Sequence, residues 1–235
     1  MRLFLAVAIL YVSMADQALA QMVASPCRAQ SGALCAGARL NGVNWQGTDL
    51  SYTEFERAQL VRARLQRATL EGADLGNANL ERANLTAANL RAADLHDASL
   101  EHATLSHSNL QSARMQGVAM SNAILRDATL IYADLKEAEL RSADFENARL
   151  REATLDGADI AYSNFHGADL SGASLVGANL RGVNFRNANL SNADLRGAFI
   201  EDAEFGGANI AHCAGCPSRL ARGHTEEEAR NSTAQ

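Results

Sequence analysis

The side chains best suited to chemistry sit at the two ends of the chain. Four cysteines fall in two close pairs, Cys27 with Cys35 and Cys213 with Cys216. Cys213-x-x-Cys216 beside His212, with His224 further on, offers a soft donor set for a metal or a dithiol for redox exchange. Structural zinc asks for four ligands in register, and one C-x-x-C with a neighbouring His falls short of that. The competing reading is two local disulfides, which an even count in two close pairs suits in an oxidising compartment. His96, His102 and His107 cluster in sequence as a second possible donor set. No Ser/His/Asp arrangement, phosphate-cradling glycine loop or zinc-protease motif occurs, so neither catalysis nor a cofactor is expected.

The elements that must carry these residues repeat every five positions. From Leu40 to Ile210, the residues numbered in multiples of five are 24 Leu among 35, the rest being Phe, Met, Ile and Trp45. Two residues before each stands a small side chain, Ala in 28 cases and Val, Thr or Ser in the others. Between them lies a mostly polar residue, often Asp or Asn, as in Ala73-Asp74-Leu75. A five-residue period winds around an α-helix and changes sides of a continuous strand, so neither element gives it a dry face. A short extended piece pointing two residues inward, followed by a corner, does. Eleven glycines fall at one phase, two residues after the large position (Gly42, Gly72 and Gly182 among them), where a tight turn has use for positive φ.

The phenylalanines say how many pieces close one coil. Phe145, Phe165, Phe185 and Phe205 are spaced by twenty, and Trp45 shares their phase. Four pieces per coil would stack those rings in one column, where offset contacts are favourable. The expectation is an all-β, four-sided solenoid of about nine coils, roughly 40 Å long at a coil spacing of ~4.8 Å. On such a coil His96, His102 and His107 occupy different sides or corners, which points to solvated surface rather than a shared metal. Cys27 and Cys35 would fasten one end and Cys213 and Cys216 the other.

The run resembles the pentapeptide-repeat family, whose pattern is A-(D/N)-L-x-x, over all 35 repeats. The resemblance implies a right-handed, four-sided β-helix with the Leu, Phe and Ala positions packed inside.

The termini read differently. Arg2, the apolar stretch Leu3 to Val12 and Ala18-Leu19-Ala20 before Gln21 have the layout of a secretory signal peptide. The expected organisation is therefore a signal peptide over 1–20, an N-terminal cap over 21–37, the β-helix over 38–212, and a C-terminal cap with a loose tail over 213–235. The expected location is periplasmic or secreted, with no transmembrane segment in the mature protein. Pro26 and Pro217 bracket the array and none lies within it, as backbone pairing along the coils demands.

The surface then comes down to charge. The wall centred on Phe55, Leu75 and Leu95 and their successors carries Glu54, Glu56, Asp74, Asp94, Asp97, Asp134, Glu137, Asp156 and Asp194. Against these nine acids stand Arg57, Arg114, Lys136 and Arg196, while the other three walls are close to neutral. Like charges ~4.8 Å apart in a column lie well inside a Debye length of ~8 Å. This wall is a candidate binding face for a basic partner. The plainer account is that the repeat itself asks for Asp or Asn at that position.

Two functions are expected from different classes. The first is an exported, non-catalytic scaffold presenting flat walls to a macromolecular partner, a protein rather than nucleic acid, in an oligomeric state left open. The second comes from the resemblance, which includes DNA mimics that bind and protect type II topoisomerases. The signal peptide, the unbroken repeats and the basic residues within the acidic wall depart from that pattern.

Overall fold

A computed structural model describes residues 27–217 of the chain. The signal-peptide reading of residues 1–20 and the tail reading of residues 218–235 lie outside the described residues.

Every quintet repeats one backbone unit. Three residues run extended, the middle one forming a parallel bridge to the residue twenty positions on, as in Asp74↔Asp94 and Asn84↔Thr104. The next two make a corner that closes when the following N–H donates back to the large residue's carbonyl (Ala58 N to Phe55 O, 2.8 Å). The bridging interval of twenty with a corner every five gives four walls per coil. Each wall is named here by a residue that points outward from it: the Asp74, Asn79, Arg64 and Asn89 walls. The pattern is already in place at residues 31–35, with Gly32 at the corner, Leu34 bridged to Glu54 and Cys35 inside.

Neighbouring coils are tied by main-chain bonds that recur on each wall. Leu75 N donates to Asp94 O at 2.7 Å, Asn77 N to His96 O at 2.8 Å, and Asp94 N to Ala73 O at 2.9 Å. The remaining N–H, at the first corner residue, is where Asp and Asn matter. Asp74 Oδ1 accepts from Gly76 N at 3.0 Å, Asn79 Oδ1 from Glu81 N at 3.0 Å, and Asn84 Oδ1 from Thr86 N at 3.0 Å. This is an Asx-type turn, which supplies the partner that the ladder leaves out.

The second corner residue has positive φ throughout. Glycine is not obligatory there: among the described residues 24 non-glycine ones, including Tyr52 (φ 55), Arg62 (φ 56) and Glu152 (φ 57), adopt the same conformation. Three inter-coil bonds per quintet hold it against a cost of about 1–2 kcal/mol for an L-residue.

The interior is dry. Leu70, Leu80 and Leu90 and the alanines between them are buried. Phe145 stacks on Phe165 with centroids 4.6 Å apart and planes 7° apart, and the column continues through Phe185 (5.5 Å) to Phe205 (5.3 Å). Trp45 meets Phe55 from the opposite wall at 5.9 Å. The ring ladder expected from the spacing of twenty is therefore present. Three small-residue positions bury a hydroxyl in place of alanine or valine: Thr53, Ser108 and Ser163.

Candidate functional site

The cysteines are bridged within each close pair, Cys27 to Cys35 and Cys213 to Cys216, with Cα separations of 5.0 and 5.7 Å. Both Cys213 and Cys216 thiols are used, which removes the sulfur donors of the metal alternative. Cys35 occupies an inward large-residue position and Cys213 the small-residue position, so each bridge ties a flanking residue into the solenoid's own core pattern.

The three histidines are separated as their phases require. His96 Nδ1 lies 2.9 Å from Asp94 Oδ1, while His102 and His107 take positive-φ corner positions on other edges. No group of three or more His, Cys, Asp or Glu side chains converges among the described residues. A depression of about 480 Å³ lies against Asn179, Arg181, Phe199, Ile200 and Glu201 near the C-terminal end. Phe199 there is 68% exposed.

The acidic wall is less uniform than its sum. Glu54, Asp74, Asp94, Arg114, Asp134, Thr154, Ser174 and Asp194 form one bridged column. Arg114 bonds Asp94, and burial of Asp94, which opposes its charge, is outweighed by hydrogen bonds from His96 and Arg114. Its carboxyl is held below the ordinary 3.8. Asp134 accepts from Gln116 Nε2 at 2.7 Å. Asp156 accepts from Ser174 Oγ and from Val176 N. The Arg196 guanidinium grips Asp194 at 2.6 Å and lowers its pKa. Glu56 pairs with Arg57 at 3.1 Å. Asp97 and Glu137 sit at the corner, Asp97 lying over Gly117. The candidates thus share a wall without making one field: Arg114 and Arg196 pair with Asp94 and Asp194, while Glu54, Asp74, Asp134 and Asp156 have no ion-pair partner among the described residues.

A charge feature of another wall escaped the wall-by-wall sum. The Arg64 wall adds up to nearly nothing, yet the coil of Arg64 carries only cations and that of Glu204 only an anion, with Arg126, Asp127, Asp144, Glu146 and Arg186 between them. Reading charge along the column, rather than totalling it, is the signal that finds it.

A four-walled β-solenoid built from five-residue units defines the class. The pentapeptide-repeat family model matches in eight copies between residues 31 and 210, and the chain belongs to the pentapeptide-repeat family. That membership makes the solenoid a right-handed quadrilateral β-helix. Among solved structures, the chain is similar to HetL, a pentapeptide repeat protein involved in heterocyst differentiation regulation from the cyanobacterium Nostoc sp. strain PCC 7120. The two share 27% identity over 85% of this chain and 93% of HetL, with a TM-score of 0.43. It is also similar to Rfr23 from the cyanobacterium Cyanothece 51142, at 37% identity over 39% of this chain and 63% of that one, TM-score 0.38. QnrB1, a plasmid-mediated fluoroquinolone resistance protein, shares the fold at 16% identity over 86% of this chain and 97% of its own, TM-score 0.50. Among curated proteins, none matches the sequence.

Proposed function

We propose that this pentapeptide-repeat protein is an exported, non-catalytic scaffold whose flat walls bind a macromolecular partner, a protein rather than nucleic acid. The observation that carries this reading is the unbroken succession of quintets around a core of fully buried Leu, Ala and Phe. With the interior filled, recognition falls to the walls, whose outward side chains repeat at a fixed ~4.8 Å interval. Export rests on the layout of residues 1–20, and two terminal disulfides suit an oxidising compartment.

The topoisomerase-mimic reading gains little. Likeness to QnrB1 at 16% identity speaks for the fold alone. A DNA mimic needs a continuous acidic surface, and here Arg114 and Arg196 stand in the acidic wall bound to Asp94 and Asp194.

Fractionating cells that express a C-terminally tagged protein, with N-terminal sequencing of the product, tests the proposal. A non-cytoplasmic product beginning at Gln21 is expected; a cytoplasmic, uncleaved one would sink the exported scaffold. Supercoiling assays with purified protein address the other reading, for which no effect on gyrase is expected.

A further inference from the structure

The two end coils of the Arg64 wall carry opposite charge. Arg62, Arg64 and Arg67 crown one coil, all three exposed, and none has an ion-pair partner among the described residues. Seven bridges further along the same column, Glu201, Asp202 and Glu204 crown another coil, again all exposed. Between these ends the bridged residues are Asn84, Thr104, Ile124, Asp144, Asn164 and Asn184, and the corners add Arg126, Asp127, Glu146 and Arg186. Only Ile124 among the six bridged residues is exposed, at 40%, an apolar β-branched side chain standing near the middle of a polar wall.

A two-fold axis lying in the plane of this wall, perpendicular to the rod and passing between the coils of Ile124 and Asp144, sets a second copy face to face and antiparallel. It sets Arg62 opposite the second copy's Asp202 and Arg64 opposite its Glu204, and does so twice, as an isologous contact must. The two Ile124 side chains then flank the axis one coil apart. The register is selective. Sliding by one coil would set the three arginines against Arg181 and Arg186 of the second copy, a like-charge contact. Within one chain Glu201 already meets Arg181 at 3.5 Å and Glu204 meets Arg186 at 3.2 Å. Those pairs are exposed and weak, and a carboxylate has lone pairs for a second guanidinium.

We infer that the Arg64 wall is a self-association surface on which a second copy of this chain docks antiparallel. A wall ~40 Å long and ~15 Å wide offers about 600 Å² per copy, or about 1,200 Å² in all, the lower edge of specific interfaces. Steering by opposed exposed charges makes the dimer salt-sensitive. The partner it fits is the chain itself, which goes beyond the scaffold reading and does not depend on export.

Sedimentation equilibrium of the purified protein, at low and at high salt, tests it. A dimer is expected at low salt, with at least a tenfold rise in dissociation constant at high salt. Arg64→Glu and Glu204→Arg should each be monomeric, since each sets like charges together at both ends. An equimolar mixture of the two variants should dimerise again, because each then supplies the charge that the other's altered end needs. Circular dichroism checks that both remain folded; if Arg64→Glu does not, Arg64→Gln with Arg67→Gln reads the same contact. A wild-type monomer at low salt up to ~100 µM, variants that dimerise as wild type, or a mixture that stays monomeric would each overturn the inference.

Discussion

Arg114 stands one coil beyond Asp94 in a bridged column, and its guanidinium binds the Asp94 carboxylate while the His96 ring approaches the same group from the corner at 2.9 Å. In a column whose preceding members are Glu54 and Asp74, this is where like-charge stacking ends. The wall that looks most like a charged binding face therefore carries its own neutralising residues.

The Asp94 carboxyl is held below its ordinary value in the folded chain. A depressed folded pKa contributes stability that is present above the unfolded value and lost as pH falls through the folded one. Melting temperature should therefore decline as pH drops below about 4, and Asp94→Asn should make that decline shallower. The check is a series of thermal melts between neutral pH and pH 2.

Ser163 and Ser108 occupy equivalent small-residue positions with different bonding. Ser163 Oγ donates to Leu140 O at 2.6 Å and accepts from Ala143 N at 3.1 Å, whereas Ser108 Oγ is buried with no partner. Ser163→Ala should cost about 1 kcal/mol. Ser108→Ala restores the alanine of the repeat, removes an unpaired hydroxyl and should be neutral or stabilising. Denaturant melts of the two variants side by side distinguish them.

Tyr162 leans along the rod over Gly182, so that a Cβ on Gly182 (φ 64) would come 2.7 Å from its ring. Gly182→Ala should lose about 1 kcal/mol to the left-handed backbone, plus whatever moving the ring costs. Adding Tyr162→Ala should recover only the second part. Thermal melts of the single and double variants separate the two.

The Cys27–Cys35 bridge closes a separation of eight residues onto a core position. Removing it with Cys27→Ser should cost about 2.5 kcal/mol in the chain-entropy account. In a stacked array the loss should stay local, so hydrogen exchange should rise in residues 31–37 and not around Phe165. Thiol titration of the native protein should find no free cysteine among the four.

Much of the fold was legible because the five-residue spacing is a direct image of the backbone. Each Leu or Phe and each Ala two before it must face a dry interior, and the interval of twenty between Phe145 and Phe165 fixes the number of walls. The corners were legible only in part. Glycines marked the positive-φ position, but Tyr52, Arg62 and Glu152 hold the same conformation because inter-coil hydrogen bonds, which no local propensity expresses, impose it.

The candidate surface was less legible still. A sequence assigns Asp94, Arg114 and His96 to one wall, but whether their charges add or cancel depends on side-chain reach between coils, twenty residues apart in the chain. The segregation of Arg62, Arg64 and Arg67 from Glu201, Asp202 and Glu204 was likewise written in the residues, yet it acquires meaning only when stacking lays them on one flat side. The sequence by itself determined the repeating unit, since burial of a fixed pattern admits one geometry. Tertiary structure decided the pairing of charges, because electrostatic contacts depend on distances of a few ångströms that only the stacked coils set.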